Sequence, residues 1–227
     1  MQINYQFMRI LSLVLISLLA ISCATTRIVK PIGAKEIAAG FDFGGPIIDF
    51  AGAKIPVPFT SFSAAYGIDS LTTVWGGLHT TALAFGNFQT DIGLLRDVIP
   101  AKGRRPGLSV APVANVLFNF TKGDFRIYPQ VDVNMHWQYS LKRRNFMYLS
   151  LSNWFDLWTK KAHMQPNDNF YALNIALGHT FVTKKNRYSL EFRWLAPNIS
   201  NRNVIVGYNG IAGQGSLAFY FGILKKF

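Results

Sequence analysis

The sequence has little charge, one cysteine and no apolar run long enough to cross a membrane as a helix. Charged residues make up 15% of the chain, whereas soluble domains carry about 25%. Cys23 has no second cysteine to pair with, which excludes an internal disulfide. The apolar stretch over residues 10–21 is shorter than the roughly 20 residues of a membrane-spanning helix. Strands that expose every second residue to lipid would explain the low charge without a long apolar run.

Acidic residues are also few, 11 against 23 lysines and arginines, which gives a formal charge of +12. Such an excess can indicate nucleic-acid binding, but here much of it lies in short segments between apolar stretches: 102–105, 142–144 and 184–187. Basic turns of this kind suit a membrane–water boundary with anionic headgroups, so we expect no nucleic-acid partner. The four histidines have no metal-ligand spacing and no phosphate-binding glycine motif is present, so we expect no metal and no cofactor.

The clearest pattern in the chain is an alternation of apolar and polar residues over 125–141. Its odd positions run from Phe125 to Leu141 and are apolar, whereas its even positions run from Arg126 to Ser140 and are mostly polar. A period of two over this length predicts a strand, because a helix would spread the same residues around all its faces. Turn signals divide the chain into about ten strands, with eight or twelve as alternatives: 35–46, 59–69, 71–85, 87–98, 107–120, 125–140, 145–158, 169–183, 187–196 and 212–226.

The N-terminal segment is typical of an export signal. Arg9 precedes the apolar stretch, and Leu19-Ala20-Ile21-Ser22-Cys23 resembles the lipobox that lipoprotein signal peptidase cleaves. The resemblance implies that residues 1–22 are a lipoprotein signal peptide and that Cys23 carries acyl chains such as palmitate. Residues 23–34 would then form a lipidated tether to a domain over 35–227. The alternative is an ordinary secretory signal with an incidental cysteine.

The domain over 35–227 resembles bacterial outer-membrane β-barrels, without a specific subfamily. The resemblance implies an all-β, transmembrane, antiparallel up-and-down barrel surrounded by outer-membrane lipid. An even strand number places both termini in the periplasm, where a lipid on Cys23 also requires the N-terminus to be. The barrel-assembly machinery would read the last strand, and its expected signal residues are Phe219, Phe221, Ile223 and Phe227.

The polar faces of the strands predict the contents of the lumen. We expect either a hydrogen-bonded plug with paired charges, or a narrow polar channel or small-solute site around Asp132, Asn134 and His136. The central polar cluster is predicted to comprise Arg126, Gln130, Asp132, Asn134, His136, Glu191 and Arg193. The odd or even position of a residue along its strand, which we call its parity, predicts further inward residues: Asp42, His79, Asp91, Asn115, Gln138 and Asp156.

The leading functional hypothesis is a non-catalytic barrel, either structural or a narrow passive pore. One alternative is a lipid-modifying enzyme, for which His136, His163 and His179 are the histidines to consider. Only His179 is predicted to face outward from a strand, and no outward serine lies on the adjoining strands at its level. The other alternative is a barrel that binds a surface ligand through its loops, above all 44–58 and 198–215, which are rich in Gly, Pro and Asn.

Overall fold

A computed structural model describes residues 27–50, 52–103, 105–139, 144–160, 166–202 and 207–227. The predicted signal peptide, Cys23 and His163 lie outside these residues.

The described residues form a closed antiparallel barrel of ten strands, which confirms the predicted fold class. Each strand pairs with its neighbours in the sequence, and β1 pairs with β11 from Ala38↔Lys226 to Pro46↔Ala218 to close the wall. An eleventh strand, β2, extends one hairpin beyond the barrel. The strands are β1 Ile37–Phe50, β2 Ala53–Pro56, β3 Phe59–Gly67, β4 Thr72–His79, β5 Asn87–Ile99, β6 Gly107–Asn119, β7 Asp124–Trp137, β8 Phe146–Phe155, β9 Tyr171–Val182, β10 Asn186–Ser200 and β11 Gln214–Lys226.

The alternation of the sequence becomes the two faces of the barrel wall. On β7, Phe125 is 50% exposed on the outside, whereas Asn134 is fully buried on the inside. Large apolar side chains are exposed around the outer wall, as Phe62, Ile92, Leu177 and Phe192 illustrate. A wall of this kind is stable in lipid because closure leaves no unpaired strand edge and hydrocarbon meets mainly apolar side chains. None of the described helices is long and apolar enough to span a membrane.

The two ends of the barrel differ, and we name them by their contents. The terminal end carries the start of β1 and the end of β11, and the hairpin end carries the β1–β2 hairpin. The segment predicted as a loop over 44–58 is largely strand, because β1 continues to Phe50 and pairs with β2. The segment predicted as one strand over 71–85 is β4 followed by a short helix, α1 (Thr80–Ala84). β4 last pairs with β3 at Ser61↔His79, and Thr60 then donates its backbone N–H to the Thr81 hydroxyl across 2.8 Å.

The chain preceding β1 folds back into the barrel. At the terminal end, the Lys35 N–H donates to the Gly67 carbonyl across 2.7 Å. Further in, the Ile32 N–H donates to the Thr73 hydroxyl across 3.1 Å, and the Ser109 hydroxyl donates to the Val29 carbonyl across 2.8 Å. Residues 27–34, which we call the inner segment, therefore lie within the lumen.

Candidate functional site in the barrel lumen

Arg27 is the most highly connected side chain of the inner segment. It donates to Asp42 across 2.6 Å and, through two nitrogens, to both carboxylate oxygens of Asp91 across 2.8 and 3.0 Å. It also donates to the Ser61 hydroxyl across 2.6 Å and lies 3.2 Å from His79 Nε2. The Arg27 side chain is 3% exposed. A guanidinium suits this position because its planar set of donors can serve several acceptors at once.

This Arg27 cluster joins four separate strands to the inner segment. Asp42 lies on β1, Ser61 on β3, His79 on β4 and Asp91 on β5. His79 also contacts Asp91 directly, with Nε2 3.0 Å from Oδ1. Two buried carboxylates without a cation would be costly, so Arg27 compensates a charge that the wall itself leaves unbalanced.

A second polar network crosses the lumen between β7, β8 and β10. Tyr148 donates its hydroxyl to Glu191 across 2.9 Å, and Arg193 Nε lies 3.1 Å from the other Glu191 oxygen. On β7, Gln130 donates to Asp132 across 2.6 Å. All of these side chains are buried, so the network holds the wall together from within.

The rest of the predicted polar cluster is distributed along the barrel axis. At the hairpin end, Arg126 donates to Asp124 across 2.8 Å and to the Lys160 carbonyl across 2.7 Å, which ties down the β8–β9 connection. Near the terminal end, His136 Nε2 lies 3.0 Å from Asp97 Oδ1. Between them, Asn134 accepts a hydrogen bond from the Ser150 hydroxyl across 2.6 Å. The structure thus places all seven predicted residues inside the barrel, but in separate contact sets.

Large aromatic side chains fill much of the remaining lumen. Trp75 and Tyr148 are both buried, and each packs against an inward glycine on a neighbouring strand, Gly93 and Gly178 respectively. A cavity between the inner segment and Tyr148 has a volume of about 30 Å³. This volume suits a single water molecule.

Arg27, Trp75, Asp97 and Tyr148 are among the lumen residues that were not predicted from the sequence. Asp97 shares the parity of Asp91 and could have been found from it. A signal for Arg27 also existed, because Asp42 and Asp91 were predicted inward while the strands from β1 to β6 offer no inward cation. Gln138 and Asp156, which were predicted in the lumen, lie just beyond the ends of β7 and β8.

The histidines considered for catalysis have other partners. His136 contacts Asp97 rather than Ser150 or Ser152. On the outer wall near the terminal end, His179 Nε2 lies 2.9 Å from the Tyr139 hydroxyl, and its ring packs on Phe181. Within the described part of the chain, no histidine is hydrogen-bonded to a serine or threonine hydroxyl.

The residues predicted as the assembly signal lie on or next to the closing strand. Phe219, Phe221 and Ile223 occupy the outer face of β11, where Phe219 contacts Phe192 with ring centroids 5.1 Å apart. Phe227 is 71% exposed and donates its N–H to the Ile37 carbonyl across 3.0 Å. The last residue therefore lies at the seam where the barrel closes.

No protein-family model and no curated protein matches this sequence. Distant likenesses exist among solved structures. The KdgM porin is 12% identical over 85% of this chain and 99% of its own, with a TM-score of 0.39. The outer membrane protease OmpT from Escherichia coli is 10% identical over 89% of this chain and 100% of its own, with a TM-score of 0.38. The CymD monoaromatic hydrocarbon channel is 9% identical over 86% of this chain and 89% of its own, with a TM-score of 0.37.

These likenesses are too distant to bear on activity. The closed ten-stranded wall and its apolar outer face give the chain the fold of a membrane-spanning β-barrel.

Proposed function

We propose that this protein is a lipid-anchored, non-catalytic outer-membrane barrel whose lumen is closed by its own inner segment. The observation that carries the proposal is the position of Arg27, which is buried among Asp42, Ser61, His79 and Asp91. A cation shared between two carboxylates is difficult to withdraw, because its departure would remove the guanidinium that both Asp42 and Asp91 contact.

A narrow passive pore is the second candidate. The polarity of the lumen favours it, since buried charges such as Glu191 and Arg193 would line a hydrated path once the inner segment had left. The two candidates differ in the resting state, which is closed in the first and conducting in the second.

Conductance of the purified, folded protein in a planar bilayer distinguishes these candidates. We expect the wild-type protein to be silent and Arg27→Ala to show openings, because that variant removes the ion pairs between the inner segment and the wall. Arg105→Ala is the control, since Arg105 is exposed at the terminal end. Steady openings of the wild-type protein would refute the closed barrel and support the pore.

The lipid anchor is a separate part of the proposal. We infer that Cys23 is acylated and that the terminal end faces the periplasm, supported by the lipobox-like residues and the even strand number. Labelled palmitate should enter the wild-type protein and not Cys23→Ser, and equal labelling would exclude this site.

Cys23 lies four residues before Arg27, and four residues span at most about 14 Å. Conductance should therefore be measured on acylated and Cys23→Ser protein, because an anchor this close could draw the inner segment out.

A further inference from the structure

Positive charge is concentrated at the terminal end of the barrel. Among the described residues, six exposed cations in the connections between strands and at the end of β11 form what we call the basic rim: Lys102, Arg105, Arg144, Lys184, Lys185 and Lys225. Three acids lie at the same end. Glu36 is paired with Lys226, Asp97 is buried against His136, and Asp69 is exposed and interacts electrostatically with Arg96.

Within the part of the chain that the structure describes, the hairpin end has no comparable excess of positive charge. Its cations Lys54, Lys122, Arg126, Lys160 and Arg202 are accompanied by Asp49, Asp124, Asp156 and Asp168. The net charge of the protein is therefore distributed asymmetrically between its two ends. A general need for solubility would not place the excess at one end.

The cations of the basic rim have few partners within the protein. Among the described residues, none of the six lies within ion-pair distance of a carboxylate. Lys225 instead lies over the ring of Phe227, 5.4 Å from its centroid. These side chains therefore present their charge to whatever surrounds the terminal end.

The direction of the basic side chains indicates membrane lipid rather than a ligand at the barrel mouth. Lys225 continues the outward face of β11 that Phe221 and Ile223 form. Arg96 likewise occupies the outward face of β5, between the exposed Leu94 and Val98, and donates to the Thr72 hydroxyl across 3.1 Å. Lys225 lies near the terminal end of the outer wall, which is the level of phospholipid headgroups.

The Tyr139–His179 pair lies on the outer wall at the same end and supports this placement. Tyr139 is 48% exposed, and its hydroxyl contacts His179 Nε2. Side chains with an apolar ring and a polar tip are enriched where hydrocarbon meets water.

We infer that the basic rim binds the phosphate groups of anionic phospholipids in the leaflet around the terminal end. This inference rests on the membrane-spanning barrel and is independent of whether the lumen is open. The charge would select anionic over zwitterionic lipid, and it would orient the barrel in a membrane whose leaflets differ in charge.

The test is a comparison of two variants with equal loss of charge. The rim variant is Lys184→Gln/Lys185→Gln/Lys225→Gln, and the control is Lys54→Gln/Lys122→Gln/Lys160→Gln at the hairpin end. Each full-length, folded protein is equilibrated in mixed micelles of phosphatidylglycerol and phosphatidylcholine, and the bound lipids are counted by native mass spectrometry. We expect the wild-type protein to retain phosphatidylglycerol preferentially. The ratio of bound phosphatidylglycerol to phosphatidylcholine should fall at least about fivefold in the rim variant and less than about twofold in the control. For the wild-type protein, the same ratio should also fall at high salt.

Three outcomes would overturn the inference. The first is an unchanged lipid preference in the rim variant, and the second is an equal loss in both variants. The third is tight binding of a soluble polyanion such as polyphosphate without any lipid preference, which would assign the rim to a soluble partner. If the triple rim variant does not fold, Lys225→Gln alone should still reduce phosphatidylglycerol retention, and no reduction would refute the proposal.

Discussion

Arg27 shows how one side chain can balance the interior of a membrane barrel. Its partners Asp42 and Asp91 lie on strands without an inward cation of their own. Burying these carboxylates alone would cost several kcal/mol each in real proteins. The inner segment supplies the missing positive charge, so at this point the contents of the lumen and the stability of the wall depend on the same residue.

Removing this charge should destabilise the barrel measurably. We expect Arg27→Ala to lower the free energy of unfolding by about 3–5 kcal/mol, because it leaves two buried carboxylates without a cation. The free energy of unfolding of Arg27→Lys should lie between those of the wild-type protein and Arg27→Ala, since a lysine offers a single point charge in place of a planar set of donors. Urea unfolding in detergent micelles, followed by tryptophan fluorescence, measures the change.

Arg105→Ala is the matched control for this prediction. Arg105 is exposed, so its removal should change the stability by less than about 0.5 kcal/mol. Equal midpoints for Arg27→Ala and the wild-type protein would show that Arg27 does not stabilise the lumen.

At the scale of the strands, the lumen is packed by pairing large side chains with glycine. Tyr148 on β8 lies across from Gly178 on β9, and Trp75 on β4 lies across from Gly93 on β5. A Cβ atom at either glycine would overlap the facing aromatic ring. In each pair, the missing Cβ of the glycine leaves room for the aromatic ring of the adjacent strand inside the barrel.

This arrangement predicts a strong difference between two glycine substitutions. Gly178→Ala should destabilise the barrel by about 1–3 kcal/mol, because Tyr148 must move and its hydrogen bond to Glu191 is strained. Gly76→Ala is the control on the outer face of β4, where the nearest atom, the Asp91 carbonyl oxygen, would lie 3.8 Å from the new Cβ. Its effect should be small.

The same unfolding assay in micelles measures both glycine variants. In the double variant Gly178→Ala/Tyr148→Leu, the loss in free energy of unfolding should be smaller than the sum of the losses in the two single variants. The reason is that the new Cβ at position 178 no longer overlaps a tyrosine ring. Additive costs would show that Gly178 and Tyr148 are not coupled.

At the scale of the whole molecule, the barrel is closed in two senses. The wall is closed by the pairing of β1 with β11, which removes the free edges of the sheet. The lumen is filled by aromatic rings, polar networks and the inner segment. The two ends then differ in charge, so charge is distributed asymmetrically along the barrel axis, whereas the outer wall is mainly apolar.

Much of this architecture could be predicted from the sequence by itself. The strict alternation around Phe125–Leu141 determines the two faces of β7, because a strand has a period of two and lipid tolerates only apolar side chains. The same rule predicts that Asp132, Asn134, His136, Glu191 and Arg193 face inward, and the side chains of all five are buried in the structure. Local sequence is sufficient for these features because each depends only on a residue and its neighbours along one strand.

Only the tertiary structure decided which buried side chains contact one another across the lumen. The pairing of His136 with Asp97, and of Tyr148 with Glu191, depends on the register between strands distant in sequence. The place of Arg27 depends on a chain reversal, because residues before β1 have no alternation that would indicate a lumen. Parity determines the face of a strand, whereas the partners of a buried charge are determined by how the closed wall brings separate strands around one axis.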